Sequence, residues 1–335
     1  MAGEYRIFGA EASPYSVKVR SYFRYKSIPH EWVLRTADRA EEFKRYARVP
    51  LIPCVVAPDD TATQDSTPII EALEQKYPDP SIIPDDPAAA FVSALIEEYA
   101  DEWVNKPMFH YRWTYEADQQ ATANWLARDN FPNASDEERD GIKAMILDRM
   151  TKRLFFVGSN PETTSQIEGS YKRLLRILNN HLLNREYLFG GRPALADFGL
   201  WAQLYELSID PTPAAIMRGA YVNVVDYVER MQFPEVIGEF EPLASLMPTL
   251  APLLEDEIAG LFLPWSVANA EALNRGEETF TVDLEGQPFT QQPQKYHAKS
   301  LAVLRARFAD AADAPGLEDI LSSTGCLRWL KGEMG

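Results

Sequence analysis

The sequence predicts an α/β domain over residues 1–84 followed by an all-helical domain over 88–335. Strand-like and helix-like segments alternate in the first part, in the order β-α-β-α-β-β-α, which favours a sheet with a parallel pair. A polar stretch rich in proline, 79–87, follows and is typical of a linker. Apolar residues then recur at helical spacing through most of the chain, so a helical second domain is expected.

The first helix of the α/β domain is the clearest element. A short apolar strand over 5–8 runs into a polar turn, and a helix begins at Ser13 and continues to about Ser27. Serine is a preferred N-cap, and Pro14 suits the first helical position because its missing N–H has no partner there. This places a hydroxyl group at the positive end of a helix, an arrangement that suits an anion such as a thiolate.

The other elements of the α/β domain follow from alternation and turn residues. The predicted strands and helices are a strand over 31–35, a short helix over 40–47, a strand over 54–56, a returning strand over 61–63 and a helix that begins near 64–68 and ends at Pro78.

The second domain is read from stripes of apolar side chains. The stripe of Phe91, Leu95, Tyr99 and Trp103 predicts an unbroken helix up to Pro107. Further helices are predicted over 167–182, from 197, over 221–228 and through 240–335. A small hairpin is expected to interrupt this last stretch at 279–287.

Composition narrows the class of protein. A net charge of −17 on 335 residues argues against nucleic acid or an anionic membrane as a partner. Residues 1–86 carry only −3 of this charge. No stretch resembles a signal peptide or spans a bilayer, and two cysteines are too few for a disulfide framework, so a cytoplasmic protein is expected. The histidines show no metal-ligand spacing, and no metal is expected.

Three motifs together resemble the soluble glutathione transferase superfamily. They are Ser13-Pro14-Tyr15-Ser16, Ile52-Pro53 and Asp65-Ser66. The resemblance implies a thioredoxin-like first domain and a helical domain whose usual length ends near residue 234. In the serine-type classes, such as tau, the hydroxyl at the position of Ser13 assists the glutathione thiolate. Ile52-Pro53 is similar to the family's residue before a cis-proline, and Asp65-Ser66 to the pair that holds the γ-glutamyl end of glutathione.

The resemblance also implies glutathione as co-substrate, a homodimer and a role in detoxification. The expected roles follow residue by residue. Ser13 stabilises the thiolate, the backbone of Ile52 beside Pro53 pairs with the cysteinyl part, Asp65 meets the γ-glutamyl ammonium, and Ser66 helps to hold its carboxylate.

The chemistry of Ser13 can be judged from magnitudes. A thiol with a pKa of about 8.5 must lose about two units to be mostly thiolate at neutral pH, which is roughly 2.7 kcal/mol. A hydrogen bond to a charged group contributes about 1.5–3 kcal/mol and a helix N-terminus about 0.3–1 kcal/mol. One hydroxyl donor at this helix start is therefore sufficient.

Each motif also has a purely structural interpretation. Ser13 alone is typical of a helix cap, and Tyr15 and Ser16 are alternative hydroxyl donors. Pro50 competes with Pro53, which we prefer because the apolar strand follows it directly. The Asp65-Ser66 pair also suits an ordinary helix start. Because Ser13 and Ser16 stand where a C-x-x-C pair would lie, dithiol–disulfide exchange is excluded at this helix.

The sequence departs from the family pattern at two places. Leu51 stands where tau-like members often carry a lysine, so Arg48 or Lys44 is the candidate for the glycine carboxylate. Ala194 replaces the capping hydroxyl three residues before Asp197, a loss of about 1 kcal/mol at that helix start. Residues 240–335 exceed the usual length of the family, and the resemblance says nothing about them.

The acceptor site is expected on the aromatic stretch Met108–Tyr115, with Tyr15, Phe109, His110 and Trp113 as substrate-binding side chains. A core or dimer role for these aromatic residues is equally compatible with the sequence. The favoured function is attack of a glutathione thiolate on an apolar electrophile. The reaction is conjugation, peroxide reduction, isomerisation or ether cleavage. The alternatives are a non-catalytic interaction module and a protein whose extension covers the cleft.

Overall fold

The computed structural model describes residues 4–332. The first domain contains the strands β1 (Tyr5–Gly9), β2 (His30–Leu34), β3 (Cys54–Val56) and β4 (Ala62–Gln64), and the helices α1 (Pro14–Tyr25), α2 (Ala40–Tyr46) and α3 (Ser66–Lys76). The strands form one sheet in the order β2-β1-β3-β4. The β1–β2 pair is parallel, and the β1–β3 and β3–β4 pairs are antiparallel. This confirms the predicted element order and gives a thioredoxin-like domain.

The sheet is buried on both faces. On one face, α2 covers a small cluster that includes Phe8, Phe43 and Val56. On the other face, α1 and α3 join the sheet to the main core, which continues into the helical region. Because the apolar side of α1 is buried on the second domain, the N-terminus of α1 is held at the boundary between the two domains.

The C-terminal region is helical with one hairpin. Its helices are α4 (Pro87–Tyr99), α5 (Asn105–Thr114), α6 (Glu116–Asn130), α7 (Asp136–Thr151), α8 (Thr164–His181), α9 (Leu195–Ile209), α10 (Pro211–Ala220), α11 (Val222–Arg230), α12 (Leu243–Pro252), α13 (Leu263–Arg275), α14 (Lys295–Asp310), α15 (Leu317–Ser323) and α16 (Leu327–Lys331). The hairpin pairs β5 (Phe280–Leu284) with β6 (Gln287–Gln291). The hairpin predicted over 279–287 therefore contains the first strand and the turn, whereas most of the second strand follows residue 287. Within residues 4–332, no helix is both long and apolar enough to cross a bilayer.

The prediction of one unbroken helix up to Pro107 was wrong. The chain makes a π-helical turn at Ala100–Val104, and Pro107 lies inside the first turn of α5. A proline ring clashes with the carbonyl four residues earlier in a regular α-helix, and a wider turn at this position relieves that clash. Asp101 and Glu102 lie within this wide turn, where Asp101 contacts α1 and Glu102 contacts α14.

A buried ion pair joins the two domains. The Lys18 ammonium lies 2.5 Å from a Glu97 carboxylate oxygen and 2.7 Å from Asp101, and the lysine is fully buried. Its pKa is raised by the two carboxylates, which outweigh desolvation. α1 is therefore fixed against α4 and the π-turn by charge as well as by apolar contact.

The last hundred residues pack on the core instead of standing apart. Trp265 of α13 lies 5.8 Å from Trp103, and Phe308 of α14 lies 5.6 Å from Phe91, ring centre to ring centre. Arg307 also pairs with Glu71 of α3 in the first domain. The extension thus covers the side of α4 and reaches the thioredoxin-like domain.

Asp197, the acidic residue of the capping box, makes the expected bond at the start of α9. One Asp197 carboxylate oxygen accepts from the Ala194 backbone N–H at 2.8 Å, and the other accepts from the Leu188 N–H at 2.9 Å and the Tyr227 hydroxyl at 3.1 Å. This buried carboxylate therefore anchors two segments to the start of α9.

Buried His181 predicts a specific loss of stability in acid. Its Nε2–H donates to the Leu188 carbonyl and its Nδ1 lies 2.8 Å from the Thr249 hydroxyl, while burial lowers its pKa to about 4. The unfolded histidine binds a proton near pH 6.5, so its contribution is complete above pH 6.5 and is lost as the pH falls towards 4. We expect a loss of about 3 kcal/mol from this residue across that range.

Urea unfolding of wild type and His181→Gln between pH 4 and pH 7 measures this contribution. The difference in unfolding free energy between the two proteins should shrink as the pH falls. A difference that stays constant over this range would show that His181 does not titrate on unfolding.

Candidate functional site

Ser13 caps α1 and keeps its own hydrogen available. Its Oγ accepts from the Ser16 hydroxyl at 3.0 Å and from the Ser16 backbone N–H at 3.4 Å. Ser13 is partly exposed, whereas Ser16 is fully buried. A serine hydroxyl that accepts in this way can still donate one hydrogen bond outwards, so Ser13 can present a donor at the helix N-terminus.

The two alternative hydroxyls are engaged elsewhere. The Ser16 hydroxyl donates to Ser13, and the Tyr15 hydroxyl donates to the Asp101 backbone carbonyl at 3.1 Å. Tyr15 thus ties the start of α1 to the π-turn of the second domain. Of the three hydroxyls, Ser13 is the one whose donor is not used within residues 4–332.

Arg112 holds the segment in front of Ser13. This buried guanidinium donates to the Ala12 carbonyl at 3.1 Å and pairs with Glu206 and Asp210, at 2.7 Å each. This role could not be predicted from the sequence, because Arg112 is separated from Ala12 by 100 residues. The position of the hydroxyl therefore depends on the helical domain.

The Ile52–Pro53 peptide bond is cis, and the bond before Pro50 is not. Phe8 at the end of β1 pairs with Cys54, so the turn before Ser13 lies next to the entry of β3. Gln64 organises the loop before that entry, with its amide donating to the carbonyls of Val49 and Leu51 at 2.9 and 2.8 Å. Pro53 and not Pro50 is therefore the cis-proline of this loop, and the contacts that Gln64 makes in the loop were not predicted from the sequence.

Asp65 stands at the start of α3 in an unusual backbone conformation. Its φ is +80° and its side chain makes no capping bond to the helix. A non-glycine residue in this region of φ is uncommon and turns its side chain away from the usual N-cap position. Ser66 beside it is buried. The carboxylate is therefore directed to a partner outside α3.

That partner comes from the extension. The Tyr296 hydroxyl lies 3.1 and 3.3 Å from the two Asp65 carboxylate oxygens, and Tyr296 is half-exposed. His297, the next residue of α14, contacts the Glu102 carboxylate, and Ser300 in the following turn donates to it at 3.3 Å. No sequence signal pointed to this contact, since the extension has no counterpart in the family pattern.

The surroundings of α14 are acidic. Glu98 lies close by on α4, and burial together with the charges of Glu97 and Asp101 raises its pKa to about 8. One Glu98 oxygen is buried without a hydrogen-bond partner among the described residues. A cationic group such as an ammonium is therefore favoured on this side of the site.

The predicted acceptor residues do not line one common cavity, although the rings of Phe109 and Trp113 lie 6.4 Å apart, centre to centre. Phe109 lines a cavity of about 220 Å³ between α5 and the extension. His110 is fully buried, with its Nδ1 2.8 Å from the Ser159 hydroxyl and its Nε2 3.5 Å from Glu168, and Trp113 is also buried. These two side chains pack inside the helical domain and do not line this cavity.

Lys44 and the two cysteines form no hydrogen bond or ion pair with Ser13 within residues 4–332. The Lys44 ammonium pairs with Glu41 at 2.6 Å on the exposed side of α2, and Leu51 is two-thirds exposed. Cys54 and Cys326 are buried free thiols. Among residues 4–332, no group of three or more histidine, cysteine or acidic side chains is arranged to hold a metal ion.

The chain thus combines a thioredoxin-like domain with a helical region, and the N-terminus of α1 at their boundary is suited to an anion. Residues 7–81 match the family of the glutathione S-transferase N-terminal domain. The first domain is thus similar to the N-terminal domain of glutathione S-transferases, and the match ends before the helical region begins.

Two curated relatives match a short part of the chain. They are the elongation factor 1-gamma proteins of Danio rerio and Carassius auratus, 37% and 36% identical over 89 residues. Each match covers 24% of this chain and 19% of the relative, so the similarity spans about a fifth of those proteins.

Solved structures with a similar fold include two glutathione S-transferases. One, from Methylobacterium radiotolerans in complex with glutathione sulfonate, is 23% identical with a TM-score of 0.43, and the alignment covers 72% of this chain and 97% of that one. The other is the Tau class enzyme from mango, Mangifera indica, 16% identical with a TM-score of 0.44, covering 75% of this chain and all of that one.

Proposed function

We propose that the chain is a glutathione transferase in which Ser13 stabilises the thiolate of bound glutathione for attack on an apolar electrophile. The single observation that supports this most is the Ser13 hydroxyl, which accepts from Ser16 and keeps a free donor at the N-terminus of α1. This donor lies in the domain that matches the family.

The energetics are adequate for this role. Depressing a thiol pKa by about two units takes roughly 2.7 kcal/mol. One hydrogen bond to the thiolate contributes about 1.5–3 kcal/mol, and the start of α1 adds about 0.3–1 kcal/mol. Donation from Ser16 polarises the Ser13 hydroxyl further, since hydrogen bonds in a chain strengthen each other.

We assign the remaining glutathione contacts to residues of the same domain. In our proposal the backbone of Ile52, beside Pro53, pairs with the cysteinyl part of glutathione as an added strand would. Asp65 meets the γ-glutamyl ammonium, and Ser66 with the N-terminus of α3 holds its carboxylate. The Asp65 side chain, which is not used to cap α3, and the acidic surroundings of α14 support this assignment.

The test is glutathione-dependent turnover of a panel of electrophiles by the purified protein. The panel contains a nitroaryl halide, an organic hydroperoxide and a β-aryl ether, because the sequence does not choose among conjugation, peroxide reduction and ether cleavage. Turnover of one of them that requires glutathione would support the proposal. Absence of turnover together with absence of glutathione binding would overturn it. A cytoplasmic homodimer with a detoxifying role belongs to the same proposal.

A non-catalytic interaction module is the second candidate. One observation favours it: the Tyr296 hydroxyl occupies the carboxylate that would receive the glutathione ammonium. The curated relatives are also named as elongation factors and not as transferases. A module that has lost the site would fail to bind glutathione at millimolar concentration, whereas the enzyme would bind it reversibly.

Tyr296→Phe should tighten glutathione binding about two- to tenfold. The tyrosine hydroxyl and the ammonium compete for the same Asp65 carboxylate, and a hydrogen bond of this kind contributes about 0.5–1.5 kcal/mol. Calorimetric titration measures the change. Tyr46→Phe is the matched control, since Tyr46 donates to Asp60 at 2.8 Å on another face of the domain. Weaker binding by Tyr296→Phe would instead show that the tyrosine helps to hold glutathione.

A further inference from the structure

We propose that the cavity between α5 and the extension binds a small organic anion with an apolar body, held by Lys106 and Arg153. The role of this cavity as the acceptor site of the enzyme rests on the proposed function. The binding of an anion in the cavity does not. The cavity measures about 220 Å³. An apolar cavity of about 150 Å³ accommodates benzene, so this one takes a single ring with a small charged substituent.

The apolar part of the wall comes from three elements. Phe109 of α5, Met150 of α7, and Phe156 and Val157 of the short helical turn at Leu154–Val157 line the cavity. Such a surface suits the flat face of an aromatic ring or a short aliphatic chain.

Lys106 is the distinctive polar residue of the wall. It is buried, its Nζ donates to Gln291 Oε1 at 2.8 Å, and it lies 3.8 Å from the centre of the Trp265 ring. No carboxylate pairs with it in the part of the chain that the structure describes. Desolvation alone lowers its pKa well below the usual value. Burial therefore favours the neutral amine, and an anion within reach of Nζ would stabilise the ammonium form by supplying a counter-charge.

The carboxylate that lines the cavity does not fill this need. Glu102 is bound by His297 and Ser300 of α14. Arg153, the second cation of the wall, is partly buried and forms no ion pair within residues 4–332. Two basic side chains, neither paired with a carboxylate within residues 4–332, therefore line one cavity in a chain whose net charge is −17. An anion entering the cavity would supply the missing counter-charge.

The cavity also borders the proposed glutathione site. His297, which lines it, follows directly after Tyr296, whose hydroxyl lies on Asp65. Glu102, which His297 contacts, follows Asp101, whose backbone carbonyl accepts from the Tyr15 hydroxyl. An anion held here would therefore lie next to the site that we assign to glutathione, in the position of its reaction partner.

The experiment compares benzoate with benzamide, which has nearly the same shape and no charge, by calorimetric titration into the wild-type protein. We expect benzoate to bind at least tenfold more tightly than benzamide. Lys106→Met should weaken benzoate binding at least tenfold and leave benzamide unchanged. Lys299→Met removes an exposed lysine of α14 and serves as the control that should change neither.

Equal binding of the two compounds, or benzoate binding that Lys106→Met leaves unchanged, would overturn the proposal. If Lys106→Met fails to fold, Arg153→Met, at a partly exposed position, replaces it. We then expect benzoate to bind at least threefold more weakly, and unchanged benzoate affinity would contradict the proposal. Glutathione is titrated separately into the same proteins. Benzoate binding without glutathione binding would retain the anion site and reject the transferase, and the reverse result would reject the anion site alone.

Discussion

Ser13→Ala should raise the thiol pKa of bound glutathione by about one to two units and slow the reaction at neutral pH about ten- to hundredfold. The loss corresponds to one hydrogen bond to a charged acceptor, about 1.5–3 kcal/mol. Affinity for glutathione should change little, because the contacts that we assign to Ile52, Asp65 and Ser66 remain. Ultraviolet absorbance of the thiolate as a function of pH, measured with the bound tripeptide, gives the pKa directly.

Two neighbouring variants serve as controls for Ser13. Ser16→Ala removes the hydroxyl that donates to Ser13 and should raise the thiol pKa by less than Ser13→Ala does. Tyr15→Phe removes the bond to the Asp101 carbonyl and should leave the thiol pKa unchanged. If Tyr15→Phe loses the thiolate while Ser13→Ala keeps it, Tyr15 activates the thiol and our assignment to Ser13 is wrong.

Arg112→Met should destabilise the protein by about 3–5 kcal/mol. The substitution leaves Glu206 and Asp210 buried without their cation, and removing one partner of a buried ion pair costs this much. It also frees the Ala12 carbonyl that leads into Ser13. The loss should be smaller in acid, since unpaired buried carboxylates escape the penalty when they are protonated. Urea unfolding at pH 5.5 and pH 8 measures both effects.

The triple variant Arg112→Met, Glu206→Gln, Asp210→Asn is the control for this interpretation. It removes the charges together, and we expect it to recover a large part of the lost stability at pH 8. A triple variant that is no more stable than Arg112→Met would show that the cost comes from lost packing of the arginine and not from unpaired charge.

The sequence was sufficient for the first domain because its elements are defined by local signals. The N-cap serine with Pro14, the apolar strand after Pro53 and the Pro78 stop each depend on residues within a few positions of each other. The π-turn was missed because its cause, Pro107, was read as the end of a helix. A proline near a wide turn can instead lie inside the next helix.

The contacts that surround the site could not be predicted, because they join distant parts of the chain. Arg112 reaches Ala12 across the domain boundary, and Tyr296 reaches Asp65 over more than two hundred residues. Neither residue stands in a pattern that marks it. The aromatic stretch around His110 shows the opposite case. Its composition suited a binding cleft, yet His110 and Trp113 are buried, and composition alone does not tell which side of a helix faces a cavity.

Calorimetric titration of glutathione into wild type and Asp65→Asn tests the central claim most directly. Asparagine tolerates the positive φ of this position and keeps the size of the side chain, so the variant removes the charge and one acceptor oxygen without a change of shape. Our account predicts reversible binding to wild type and at least tenfold weaker binding to Asp65→Asn. Equal binding to both proteins, or no binding to either at millimolar glutathione, would contradict it.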